Sequence, residues 1–154
     1  MGLIDKRLAE IGLTLPTPAK PVANYVPWVR TGNLVFISGQ GPLADGKLLY
    51  QGRLPDTVSI EDGQKSARLC AVNVLAQLRE ALGGDLDRVT RVVKLVGFVN
   101  AAPDFADHPK VINGASDLMV EVFGDKGRHA RSAVGSPSLP FNISVEVEAI
   151  IEVA

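Results

Sequence analysis

The stretch from residue 144 to residue 153 most restricts what this chain can fold into. Val145, Val147, Ala149, Ile151 and Val153 fall on one side of an extended backbone, and Ser144, Glu146, Glu148 and Glu152 fall on the other. A period of two held this long predicts a strand with one face buried and one face polar. An apolar sheet face must be covered by a second layer, and the rest of the chain has to supply it.

Two helical patterns fit that task. Ser59-Ile60-Glu61-Asp62 has the form of a helix start, with an acidic residue three positions after Ser. Beyond it, Ala67, Ala71, Val74, Leu75, Leu78 and Leu82 share one stripe, and Gly83-Gly84 ends the run. The second helix begins around His108-Pro109, with Pro109 suited to its first position. Val111, Ile112, Ala115, Leu118, Met119 and Val122 form its buried face, and Gly124 closes it. Cys70 lies beside the first stripe and reads as a small core residue, because a helix interior offers nothing to lower a thiol pKa.

The remaining segments are strands and connections. Trp28-Val29-Arg30 leads through a turn at Thr31-Gly32-Asn33 into Leu34–Ser38, which is apolar on both sides and is expected to be central. Asp45-Gly46 predicts a turn, with a short strand from Lys47 to Tyr50. Val89 to Val99 is rich in β-branched residues and is expected to be covered on both faces, and Ala130 to Val134 is a further strand. Ile4, Leu8 and Ile11, followed by Gly12, predict a short N-terminal helix, after which Pro16, Pro18 and Pro21 impose an extended arm. The order predicts an α+β fold: a mixed, mostly antiparallel sheet with two helices on one face. It is read as one domain over 1–154, with the helix and proline-rich arm occupying 1–20.

Composition removes several functions. A formal net charge of −1 over 154 residues gives no basic field for nucleic acid or an anionic membrane. One cysteine and two histidines cannot build a standard zinc site. No apolar run approaches membrane-spanning length, and the first residues have no signal-peptide core; Lys6 stands where a myristoylation motif needs Ser or Thr. The expected location is the cytoplasm. Gly39-Gln40-Gly41-Pro42-Leu43-Ala44 matches the spacing of a dinucleotide-binding turn, but a proline and a hairpin follow where a helix must begin. No nucleophile elbow occurs, and only His108 and His129 could serve a catalytic triad.

Positive charge concentrates in Lys126-Gly127-Arg128-His129-Ala130-Arg131. Lys126 and Arg128 suit a solvated turn, whereas Arg131 lies inside a sheet-forming segment. A guanidinium held there needs an anion, and its planar fork suits a carboxylate. Glu146 or Glu148, on an adjacent strand, could be that anion in a structural pair. Alternatively, Arg131 could hold a substrate carboxylate while one glutamate handles a water. Spacing alone does not choose between the two glutamates.

Two blocks resemble a known family. Leu34-Val35-Phe36-Ile37-Ser38-Gly39-Gln40 resembles the opening strand of the Rid (reactive intermediate deaminase, YjgF-like) family, formerly labelled endoribonuclease L-PSP. Ala130-Arg131-Ser132-Ala133-Val134, then Leu139-Pro140, then Val145-Glu146-Val147-Glu148-Ala149-Ile150 resembles its C-terminal signature in order and near spacing. The resemblance covers roughly residues 20 to 154. It implies a chorismate-mutase-like fold and a homotrimer whose sheets form a central barrel, with clefts between subunits. It also implies hydrolysis of reactive enamines and imines of the 2-aminoacrylate type to 2-oxo acids and ammonia, with no cofactor or metal. On it, Arg131 corresponds to the carboxylate-binding arginine, Glu146 to the water-positioning glutamate and Tyr25 to a cleft tyrosine; Ser38 and Asn113 correspond to substrate-binding residues. The N-terminal helix and arm, extra residues around Asp104 to Lys110, and Gly135-Ser136-Pro137-Ser138 depart from the compact pattern and suggest a divergent branch.

Other readings carry simpler roles. Tyr25 could only pack at an interface, Ser38 could only close a strand through a backbone bond, and Asn113 could be a solvated helix residue. For the whole chain, the alternative is a module that binds a 2-oxo acid or other small carboxylate without turnover. A ribonuclease is a weaker reading on charge grounds. A chorismate mutase would need further cations, such as Lys126 or Arg128, to converge on Arg131.

Overall fold

The computed structural model describes residues 1–21 and 23–154. Seven strands and three helices occur among them: α1 (Leu3–Glu10), β1 (Trp28–Thr31), β2 (Leu34–Gln40), β3 (Leu43–Ala44), β4 (Lys47–Leu48), α2 (Ile60–Ala81), β5 (Val89–Asn100), α3 (His108–Phe123), β6 (Ala130–Ser136) and β7 (Val145–Val153). Five strands form one sheet in the order β1-β2-β7-β5-β6. Its pairs are antiparallel except β5 with β6. That pair is parallel because α3 carries the chain back to the starting end, which a tight turn cannot do. The α+β architecture with a mixed, mostly antiparallel sheet is therefore present.

The alternation in β7 appears as expected. Val145, Val147, Ala149, Ile151 and Val153 are all buried, whereas Glu148 and Glu152 are exposed and Glu146 is half-buried. The inward row meets Ala67, Cys70, Ala71, Val74, Leu75 and Leu78 of α2 and Ile112, Ala115, Leu118 and Met119 of α3 in one apolar core. Each fully buried Leu, Ile or Met side chain contributes about 1.5–3 kcal/mol relative to exposure. Ser144 departs from the pattern: it is buried, and its hydroxyl shares a 2.7 Å hydrogen bond with Ser66 of α2. The alternation begins only at Val145, because Ser144 lies before the strand and its hydroxyl has an internal partner.

Helix α2 starts as its sequence suggests, with the Ser59 hydroxyl accepting from the Asp62 amide at 3.1 Å. Helix α3 begins at His108 with Pro109 in its first turn and stops at Gly124, whose φ is 62°. Cys70 is fully buried, and its thiol lies 3.4 Å from the Val145 carbonyl; burial, with the nearby Glu146 charge, pushes its pKa well up. Asp45 and Gly46 both have positive φ and join β3 to β4. The short strand expected over 47–50 is shorter than that, and Leu43–Ala44, which pairs with it, was not anticipated.

Two expectations about the sheet need correction. Strand β2 is central as expected, between β1 and β7, but β5, expected to be covered on both faces, is open on one, the same side on which β2 is open. Phe36 is 40% exposed on the open side of β2, and Lys94, Val96 and Phe98 on β5 pair with β7 residues of that same open side. Apolar residues on both faces therefore do not mean two covering layers within one chain. In addition, a third helix joins the two expected on the covered side, since α1 packs against α3.

Helix α1 is held from outside. Its cap position, Gly2, has no side chain to offer, and Asp87 supplies the carboxylate instead. Oδ2 accepts from the Leu3 amide and Oδ1 from the Ile4 amide, each at 2.9 Å. These bonds, Ile4's first, hold the Asp87 pKa below its usual value. A depressed carboxylate stabilises the fold above its unfolded pKa, and that contribution is lost as pH falls through the folded value. Asp87→Ala is expected to accelerate amide exchange across residues 3–10 severalfold while leaving β5 and β7 unchanged. Unaltered exchange in α1 would rule this anchoring out.

No helix of the described residues is long and apolar enough to cross a membrane.

Candidate functional site

Ladder register settles which residues can meet. Arg131 on β6 pairs with Leu95 on β5, which pairs with Ala149 on β7; Leu95 and Ala149 are buried under the helices. Cross-strand partners share a face, so the Arg131 side chain lies on the helix side of the sheet. Glu146 pairs with Phe98, and Glu148 with Val96, on the opposite side. Strand β5 also separates β6 from β7. The expectation that Glu146 or Glu148 lies on a strand next to Arg131 and could pair with it is therefore wrong within one chain. Local pattern specifies how a strand alternates but not which strands are neighbours.

Arg131 is half-buried at the sheet edge. Its Nη1 donates to Asn113 Oδ1 at 2.8 Å and to Ser116 Oγ at 3.2 Å, both on α3. No carboxylate among the described residues lies within salt-bridge distance of it. Ser116 in turn shares a 2.9 Å bond with His129 Nε2, and His129 Nδ1 lies 2.6 Å from the Gly127 carbonyl. Asn113 is thus tied to the guanidinium rather than merely solvated. Ser116 carries no role in the sequence analysis, and His129 figures there only in the basic run and as a possible triad member, not as a support for Arg131. Ser116 follows Asn113 by three positions, so the two lie on one helix face, and that spacing was the available signal. Arg128 is exposed and pairs with Asp125, so it does not converge on Arg131.

Glu146, Ser38 and Tyr25 come together elsewhere. They line a cavity of about 460 Å³ with the arm residues Ala19, Lys20 and Pro21 on one wall and Phe141 and Ile143 on another. Strand β2 builds the floor. Its ladder with β7 steps from Ile37↔Ala149 to Gln40↔Val147, so β2 carries one extra residue there. This bulge lies at Ser38-Gly39, and bulges commonly re-aim side chains beside functional sites. A Cβ on Gly39 would meet the Glu146 carboxyl group and push it aside, so the bare glycine leaves room for that carboxyl group at the bulge. Glu148 is exposed and does not line the cavity, so geometry separates two glutamates that spacing could not.

Burial pushes the Glu146 pKa up, and the neighbouring Glu148 charge adds to the rise. Ser38 donates its hydroxyl to the Pro27 carbonyl at 3.1 Å, so it does close the strand through a backbone bond while also facing the cavity. Tyr25 is 56% exposed at the rim. Polar side chains of α2 hold the surrounding walls. Gln77 donates to the Ala19 carbonyl at 2.7 Å. Asn73 donates to the carbonyls of Gly41 and Leu43 at 2.9 and 3.0 Å.

The likeness to known proteins covers nearly the whole chain. Residues 5–153 match the family model described as "YjgF/chorismate_mutase-like, putative endoribonuclease". The chain belongs to the YjgF family. Within it, one relative is Protein TCP17 of Trypanosoma cruzi, 47% identical over 98% of this chain and 94% of that protein. Among solved structures, the protein Atu1372 of Agrobacterium tumefaciens, of unknown function, superposes with a TM-score of 0.92 at 50% identity. That match spans 98% of this chain and 92% of Atu1372. A YjgF-family relative from Dermatophagoides farinae, named 2-iminobutanoate/2-iminopropanoate deaminase, is 30% identical over 90% of this chain and 93% of its own length. The Rid placement expected from the two sequence blocks therefore holds.

Proposed function

We propose that this chain hydrolyses small carboxylate-bearing imines, including those formed from enamines such as 2-aminoacrylate, to 2-oxo acids and ammonia. The observation that carries the reading is the Arg131 guanidinium: two α3 side chains hold it at an open sheet edge, and no carboxylate among the described residues neutralises it. Such a group is suited to a small acid. The deaminase name of the relative from Dermatophagoides farinae supports the same reaction.

The two halves of the site face opposite ways in one chain, so a second copy completes it. The β6 edge of one subunit would lie over the cavity of Tyr25, Ser38 and Glu146 in the next. Such head-to-tail contacts close into a ring, and a homotrimer with its sheets gathered centrally fits. Val29, Phe36 and Val134, which are 52%, 40% and 43% exposed on the open sheet face, supply apolar surface for that contact.

In the reaction, the enamine first tautomerises to the imine. Arg131 grips the carboxylate and leaves the electron-poor C=N carbon facing Glu146. Glu146, whose raised pKa suits proton exchange, takes a proton from water as the oxygen adds to that carbon. That proton passes to nitrogen to give a carbinolamine; the remaining hydroxyl proton then moves to nitrogen as the C–N bond breaks, which releases ammonia and leaves the 2-oxo acid. Tyr25 supplies a hydrogen bond or relays a proton, and Ser38 and Asn113 shape the binding surface. No cofactor or metal takes part.

The test couples the protein to a serine or threonine dehydratase in the presence of a trapping amine. Faster 2-oxo acid release and less trapped adduct are expected. Calorimetric binding of a 2-oxo acid with no acceleration would instead assign a carboxylate-binding module.

A further inference from the structure

We propose that Ser116 and His129 form a positioning relay that selects which edge of the Arg131 guanidinium is offered to the substrate carboxylate. This rests on the reading of Arg131 as the carboxylate-binding group. The direction of each hydrogen bond follows from chemistry. The Gly127 carbonyl can only accept, so the His129 Nδ1 lying 2.6 Å away must carry hydrogen. The neutral imidazole then has a lone pair at Nε2, and the Ser116 hydroxyl, 2.9 Å away, donates to it. Burial, and the Arg131 charge beside it, lower the His129 pKa against the opposing pull of the Gly127 bond, in keeping with the neutral ring.

The hydroxyl's one hydrogen is thereby committed to His129, and its lone pairs turn toward Arg131 Nη1 at 3.2 Å. Nη1 has two hydrogens, and Asn113 Oδ1 at 2.8 Å takes the other. Both are used on α3. The edge formed by Nε and Nη2 has no partner among the described residues, and those two parallel N–H groups match the two oxygens of a carboxylate. Without an acceptor at His129, the Ser116 hydroxyl is free to rotate and turn its hydrogen against the guanidinium. The second anchor is then lost, and the fork swings on Asn113 alone. His129 does not touch the substrate; it acts through Ser116.

Two substitutions of similar size separate this from simple packing. H129Q places an amide oxygen near the position of Nε2 and keeps an acceptor for Ser116. H129N reaches only as far as Nδ1 and keeps only the Gly127 bond. H129N is expected to weaken 2-oxobutanoate binding by about tenfold in calorimetry, the scale of one lost neutral hydrogen bond. In turnover it raises KM by a like factor, with kcat held within about twofold. H129Q stays near wild type in both. In an S116A background, H129N has no further effect, because the relay is already cut.

A second readout needs no ligand. Rotation about the Cζ–Nη1 bond of Arg131, followed by ¹⁵N side-chain NMR, is expected to be slow in wild type and H129Q and fast in H129N. If 2-oxobutanoate fails to bind wild type, the carboxylate reading falls while the rotation still tests the relay. Equal slowing in all three proteins, or equal loss of affinity in H129Q and H129N, would overturn the relay.

Discussion

Replacing Arg131 with alanine should lower kcat/KM for 2-iminobutanoate by roughly 10²- to 10³-fold, the range expected when one partner of a hydrogen-bonded charge pair is truncated. Most of the change is expected in KM, since the guanidinium holds the substrate before and during the reaction. Arg131→Lys should recover only part of the loss: it restores charge but not the two parallel donors. Stability should change little, because the side chain is half-buried at a sheet edge and is bonded to only two α3 residues. The decisive measurement is complementation. Arg131→Ala and Glu146→Gln subunits, each at or below about a hundredth of wild-type rate at substrate well below KM, are mixed after dissociation and assayed at that substrate level. If Arg131 of one chain works with Glu146 of another, activity returns to about a quarter of wild type, because random pairing in a closed ring joins the two intact residues about one time in four. No recovery from fully exchanged subunits would refute the shared site.

Glu146→Gln should cost roughly 10²- to 10⁴-fold in kcat, the usual contribution of a positioned general base. Binding of a 2-oxo acid should survive, which separates this variant from Arg131→Ala. The same substitution should raise Tm at neutral pH. Burial and Glu148 lift the Glu146 pKa in the folded chain. A carboxyl group with a raised folded pKa contributes most below its unfolded value, and that contribution is lost as pH rises through the folded value. Glutamine carries no such pH-dependent loss. The gap in Tm between variant and wild type should therefore close as pH falls below the ordinary carboxylate range. A gap that is constant with pH would mean that the charge is not the cause.

The parts of the structure readable in the sequence are those set by local periodicity. The inward row of β7 and the stripes of α2 and α3 are visible because a side chain's face follows directly from its position in a regular element. The Ser59 cap and the Gly124 stop are local as well. What could not be read depends on strand order and on irregularity. Nothing in Ala130–Val134 says that β5 lies between it and β7, so Arg131 and Glu146 looked like neighbours across one ladder although they face opposite ways. The bulge at Ser38-Gly39 breaks the alternation on which a strand reading depends, yet it gives Glu146 its place against Gly39. Asp87 caps a helix more than eighty residues away in sequence, a partner that local patterns do not contain.

The separation of Arg131 and Glu146 across the sheet bears on when the protein can act. On the reading proposed above, a single folded chain is chemically mute, with a cationic ledge on one flank and an acidic hollow on the other. Reactivity then switches on with encounter rather than with folding. A cell that makes little of this protein would hold finished but idle copies, and expression level would govern turnover more steeply than in proportion to the amount made.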